Sequence, residues 1–219
     1  PIFFGGVNVY LQQKIPFFRT SPRWIDRIFD HPKLLKIIST RAGMVNAKEL
    51  GQTTLSILSG EDGRQVKELY RLTKWLARPE NRPDVLVLSN VLLCGLAREI
   101  KKRLDIPVVC FLQDEDEFVD ALSEHYRERA WNILTKRSKD IDLFIAVSDY
   151  YRSFMQQRLG LKEDKFRTVR PGLEISDYSA RTQIPPQKRI GYLSRMCEGK
   201  GLDILVQAFI RLKKSGKFE

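Results

Sequence analysis

Arg195 and Lys200 stand between an apolar run, Ile190-Gly-Tyr-Leu193, and an amphipathic segment that opens at Gly201 and continues Leu202-Asp-Ile-Leu-Val-Gln-Ala-Phe209. Two cations at the end of a strand, beside a helix N-terminus whose free N–H groups attract anions, make a clamp for a diphosphate. The competing reading is a surface arginine and a helix-start lysine. A lysine at a helix N-terminus opposes the dipole, and either an anionic ligand or Glu198 would relieve that placement. The chain reaches Glu219 soon after this helix, so the domain that owns the clamp is expected to be cut short. It opens on Pro1 rather than Met, so its start is expected to be missing too.

Other residues carry weaker chemistry. Gly5-Gly6 precede Val7-Asn-Val-Tyr-Leu-Gln, an expected helix start. A glycine pair lets backbone approach a phosphate there, although such pairs more often mark a tight turn. Gln113-Asp-Glu-Asp-Glu117 follows an apolar strand. In an open parallel sheet the carboxyl ends of the strands line the ligand crevice. Gln113 and Asp114 are therefore candidate substrate contacts, and the carboxylates could include a general base or acceptors for sugar hydroxyls. They also suit the first turn of a following helix. Glu174, in Arg170-Pro-Gly-Leu-Glu174, is a further candidate on what reads as a turn leaving one domain. Gly60-Glu-Asp-Gly63 reads as a helix-start turn without chemistry.

Several chemistries find no support. There is no Gly-x-x-x-x-Gly-Lys-Ser/Thr loop and no Gly-x-Ser-x-Gly elbow. His31 and His125 lie in unrelated contexts, which argues against a Ser-His-Asp triad. No Cys/His cluster has metal-ligand spacing, so no metal site is expected. Cys94, Cys110 and Cys197 are odd in number and widely spaced, and the first two sit in apolar runs. They read as reduced thiols in a reducing compartment, so the expected location is cytoplasmic.

The elements that would position these residues alternate. Val85–Leu88, Val108–Leu112, Leu143–Val147 and Ile190–Leu193 are apolar runs rich in β-branched residues, and Phe166–Val169 is a weaker one. None alternates cleanly between apolar and polar, the pattern of strands covered on both faces. Helical stripes separate them. Val66, Leu69, Tyr70, Thr73 and Leu76 form one, and Leu93, Leu96, Ala97, Ile100 and Leu104 another. Tyr151, Phe154, Met155 and Leu159 form a third, with Ser148 as N-cap and Gly160 as C-cap. Leu202, Leu205, Val206, Phe209 and Ile210 form the last. The repeat predicts an α/β fold with a Rossmann-like parallel sheet and right-handed crossovers. Residues 15–58 break the pattern and predict a helical insertion, with short helices near Ser21 and His31 and another from Asn46 or Ala47 to Leu58. The polar stretch Arg181-Thr-Gln-Ile-Pro-Pro-Gln-Lys188 marks the expected boundary, giving a domain over 1–182 and the opening of a second over 183–219.

The chain has 219 residues and a net charge of +11, from 38 basic and 27 acidic side chains. Nucleic acid, an anionic membrane face or phosphorylated small molecules would each suit that charge, as would simple solvation. No apolar run approaches the roughly 20 residues of a membrane-spanning helix. The basic residues follow no recognisable nucleic-acid motif, so no nucleic-acid partner is expected.

Taken together the residues resemble family 4 glycosyltransferases, a class with two facing Rossmann-like domains known as the GT-B fold. Gly5-Gly6-Val7 with Tyr10 resembles the family's first glycine loop. Pro83-Asp-Val-Leu-Val-Leu88 resembles its "PDVVH" strand, Ala146-Val-Ser-Asp149 its "AVS" turn, and Pro171-Gly-Leu-Glu174 its "NGVD" crossover. Ile190 to Phe209 resembles "vGRLspeKGldlLieAf". Gln113 stands where many members carry His, and Arg170 where they carry Asn. The resemblance implies transfer of a hexosyl group from a nucleotide diphosphate sugar to an acceptor, with retention and with no cofactor or metal. The acceptor would be a glycan, a lipid-linked carrier or a small molecule, as in polysaccharide biosynthesis. It also implies an N-terminal lobe that holds the acceptor, with Gly6 near the donor phosphates and Arg195 and Lys200 neutralising the leaving diphosphate. Many relatives act on lipid-linked acceptors, so peripheral membrane association is expected. The family's paired-glutamate motif would fall after Glu219, and the chain as given is then expected to be a fragment. Two rival readings remain open: an epimerase or phosphorylase on the same scaffold, and a non-catalytic module for anionic ligands or membranes.

Overall fold

The computed structural model describes residues 47–178 and 189–216, together with Ile15. Gly5, Gly6, the expected helices near Ser21 and His31, and the polar stretch 181–188 lie outside the described residues. The chain divides into two compact units, Pro1–Gly172 and Leu173–Glu219.

Strands in a parallel sheet pair through helical crossovers, and the first unit repeats that plan. Its strands are β1 (Leu86–Leu88), β2 (Val108–Leu112), β3 (Leu143–Ala146) and β4 (Phe166–Thr168), all parallel and in the order β1-β2-β3-β4. The register lines up Leu88, Cys110, Phe144 and Phe166 in one row across the sheet. Phe144 and Phe166 stack with ring centroids 5.0 Å apart. Val108, Cys110, Leu112, Phe144, Ala146 and Phe166 are buried, while the alternate positions Val109, Phe111, Leu143 and Ile145 are half-buried.

The helices follow their apolar stripes. Helix α1 spans Ala47–Leu58 and α2 spans Val66–Leu76. A 3-10 turn over Val91–Leu96 leads into α3, Ala97–Leu104. After β2 come α4 (Glu115–Asp120) and α5 (Glu124–Arg137). Helix α6 (Asp149–Leu159) has the expected caps: the Ser148 side chain accepts from Tyr151 N at 3.1 Å, and Gly160 closes the helix. Helix α5 has no counterpart among the sequence-based expectations. Its N-terminal half is polar and its buried positions are few: Ala130, Leu134 and, unusually, Arg137.

In the second unit, α7 spans Leu202–Lys214. The expected strand Ile190–Leu193 is not formed. A strand exists only through its ladder with a neighbour, and among the described residues nothing pairs with 190–193. Ile190 is 58 % and Leu193 102 % exposed. The amphipathic stripe of α7 is present but open, with Val206, Phe209 and Ile210 exposed.

Candidate functional site

All four strands of the first unit point their carboxyl ends the same way, so the loops that follow them form one rim. Two of these loops are fixed by side chains that satisfy helix-start N–H groups, Asn90 after β1 and Ser148 after β3. After β1, Asn90 Oδ1 accepts from Leu92 N at 3.1 Å. After β2, Gln113 and Asp114 are exposed and Asp114 precedes α4 in the left-handed conformation, φ 61° and ψ 25°. Its carboxylate does not cap that helix. Gln113 Nε2 reaches back to the Ser89 carbonyl at 3.4 Å, linking the first two loops.

The run of four carboxylates splits by environment. Glu115 is 5 % exposed, whereas Asp114 and Glu117 face solvent. Glu115 Oε1 accepts from Val91 N at 3.2 Å, and Oε2 accepts from Gln113 N at 2.7 Å and lies 3.1 Å from the Tyr151 hydroxyl. The one proton of that hydroxyl is shared between Glu115 and Asp116, whose Oδ1 lies at 2.7 Å. Burial, with the adjacent Asp116 and Glu115 carboxylates, pushes the Tyr151 phenol well up from its ordinary value. Tyr151 therefore stays a neutral donor throughout the physiological range. The acidic run is also the first turn of α4, so the purely helical expectation holds for it as well.

After β3 and β4 a second polar group forms. Asp149 accepts from Thr168 Oγ1 at 2.6 Å and from Arg170 Nη2 at 3.1 Å. The Thr168 hydroxyl, helped by the Arg170 and Arg152 guanidinium groups, holds the Asp149 carboxyl below the usual carboxylate range. Tyr151 and Asp149 were not among the sequence candidates, and Glu115 entered only as one of the acidic run 114–117. A signal for Glu115 exists: Glu115, Val119 and Leu122 fall four and then three residues apart, which places the acid on the apolar face of its helix.

The second unit holds the loop with Arg195 and Lys200. The Tyr192 hydroxyl lies 3.3 Å from the Arg195 carbonyl and 3.2 Å from the Lys200 carbonyl, so one phenol gathers both ends of the loop. Cys197 N donates to the Arg195 carbonyl and Lys200 N to the Cys197 carbonyl, each at 3.0 Å. Gly201 then takes φ 69°, a left-handed turn that favours glycine and aims the chain into α7. Both cationic side chains are exposed. Glu174 also belongs to this unit; it is exposed and accepts from Ser176 N at 3.0 Å. The Ser176 backbone N–H and hydroxyl hold its carboxyl below the usual range.

Among the described residues no group of three or more His, Cys, Asp or Glu side chains could hold a metal ion. Among them no helix is long and apolar enough to cross a membrane.

No curated protein matches this chain, and no solved structure matches it. A family model does. Residues 49–177 match the model described as Glycosyltransferase Family 4, more than half of the chain. The matched span holds all four strands and the rim built on their ends. It lies between Gly5-Gly6 and Arg195/Lys200 in the sequence and includes neither. The chain therefore belongs to Glycosyltransferase Family 4, a family whose chemistry is the transfer of a glycosyl group.

Proposed function

We propose that the chain takes part in moving a hexosyl group from a nucleotide diphosphate sugar to an acceptor hydroxyl, with retention of anomeric configuration. The observation that carries the reading is the family match across the sheet and its rim. In this reading the acceptor lies on the first unit's rim, where the exposed Gln113 amide and Asp114 carboxylate bind its hydroxyls. The donor diphosphate is taken by Arg195 and Lys200, Gly6 lies near the donor phosphates as the family likeness implies, and Gly5 and Glu174 are further candidate substrate contacts.

The chemistry follows from where charge develops. The bond from the sugar's anomeric carbon to the diphosphate breaks, and negative charge grows on the leaving oxygen. The acceptor oxygen bonds to that carbon, and its proton passes to the leaving diphosphate oxygen. Exposed cations on a fixed loop stabilise that growing charge more than they stabilise the intact donor, so they raise the rate as well as the affinity. Removing one such electrostatic partner costs about 10²–10³ in kcat. The double variant Arg195→Ala/Lys200→Ala is therefore expected to lose at least ~10²-fold in transfer rate with an unchanged melting temperature. The assay incubates a panel of nucleotide sugars with simple glycosides and lipid-linked acceptors, then reads released nucleotide and the anomeric configuration of the product by NMR. Full turnover in the double variant would remove these residues from the site. An isomerised donor with no glycoside formed would favour an epimerase on the same scaffold.

The net charge of +11 supports a membrane-surface location for the acceptor. Anionic lipid headgroups attract such a surface by roughly 1 kcal/mol per basic residue close to the bilayer.

A further inference from the structure

We infer that Glu115 is the positioning residue of the acceptor rim: a buried carboxylate that sets the conformation of Gln113 and Asp114 without touching substrate. The inference rests on the reading that this rim holds the acceptor. It starts from an energetic oddity. A buried carboxylate costs several kcal/mol unless it is paired or fully hydrogen-bonded. Glu115 is 5 % exposed, and among the described residues it forms no ion pair. Its partners are instead polar groups on three different strand-end loops. They are Val91 N after β1 at 3.2 Å, Gln113 N after β2 at 2.7 Å, and the Tyr151 hydroxyl after β3 at 3.1 Å.

The second observation is independent of the first. Asp114, between Gln113 and Glu115, is held at φ 61° and ψ 25°. A non-glycine residue there costs on the order of 1 kcal/mol and persists only where its surroundings impose it. Asp114 does not supply that constraint itself, because its side chain makes no bond to the helix it precedes. The constraint comes from its neighbours. Glu115 is anchored in the core, and its carboxylate draws the Gln113 N–H back over the turn. The same carboxylate holds Val91, whose loop carries the Ser89 carbonyl that Gln113 Nε2 meets at 3.4 Å. One buried group thus sets both the turn and the spacing between two loops of the rim.

The test uses the full chain with Glu115→Gln, which keeps shape and one oxygen but sets an NH2 against one of the two N–H donors. With the donor and acceptor identified by the panel above, the acceptor KM is expected to rise about tenfold or more, while donor KM and donor hydrolysis by water change less than about twofold. Glu115→Asp, which keeps the charge, is expected to recover part of the acceptor affinity. Amide hydrogen exchange at 89–92 and 113–116 is expected to quicken in Glu115→Gln while α6 remains protected. If kcat falls with the folded fraction and both KM values hold, Glu115 is only structural and the inference is overturned. Should Glu115→Gln fail to fold, Glu115→Asp and Tyr151→Phe carry the same measurements. A complete protein, with this chain and its second lobe intact, that transfers nothing would sink the proposed function alone. The exchange measurement then decides this inference, and unchanged exchange at 113–116 overturns it.

Discussion

Asp142 ties the entry of the sheet together. Its Oδ2 accepts from Val108 N at 2.8 Å, its own N donates to the Val108 carbonyl at 2.9 Å, and its Oδ1 pairs with Lys101. Burial works to raise its carboxyl pKa, but the Lys101 ammonium and the Val108 N–H outweigh burial and hold it below the usual value. A carboxyl whose folded pKa lies below its unfolded one adds stability above the unfolded value, about 3.9, and loses it as pH falls through the folded value. Asp142→Asn is thus expected to be less stable than wild type at pH 7, with the difference shrinking below about pH 4. Urea unfolding at pH 7, 5, 4 and 3 measures this, and parallel curves would refute it. At this scale the sequence was informative about residue type and less so about burial. Four adjacent acids read as candidate site groups or as the first turn of a helix, yet Glu115 is in the core while Asp114 is outside it, and only the spacing of Glu115 to Val119 and Leu122 marks the difference.

Elements were legible where the apolar pattern was strong and local. β2 runs over Val108–Leu112 and α2 over Val66–Leu76, as their patterns predict, and Ser148 caps α6. Helix α5 escaped because its buried stripe is thin and ends in an arginine. The Ile190 run misled because its composition is strand-like while a ladder partner is a property of the fold. The role of Gly60-Glu-Asp-Gly63 was also hidden. There, backbone meets backbone: a Cβ on Gly95 would lie 2.3 Å from the Ile57 carbonyl, and one on Gly60 2.0 Å from the Gly95 carbonyl. The end of α1 thus sits directly on the 3-10 turn after β1. Gly95→Ala is expected to cost about 2–3 kcal/mol, since neither backbone can give way without moving its element. The urea midpoint reads this; a shift below about 0.5 kcal/mol would show that the contact is loose.

For the whole molecule, one arginine organises the first unit. Arg137, 2 % exposed, pairs with Glu61 at 2.7 Å and Asp62 at 2.8 Å and donates to the Ser59 carbonyl. Arg98 joins Glu61 to Asp140. Helices α3 and α5 and the turn after α1 are thereby locked around the same carboxylate. The chain carries a net charge of +11, and the expected outcome is co-sedimentation with vesicles containing phosphatidylserine at low salt and release at about 0.5 M salt, where exposed charges are screened. No binding at low salt would remove the membrane surface from the proposal. Sequence order made the α/β class legible and gave the chain two parts, and the compact units divide after Gly172. Finally, burial raises the Cys94 thiol to about 12 and lifts that of Cys110 as well, while Cys197 is exposed. Of the chain's three sulfhydryls, then, one alone is open to a maleimide dye. A fluorophore attached there would sit two residues from Arg195, a built-in probe of the proposed diphosphate clamp that requires no engineering of the polypeptide.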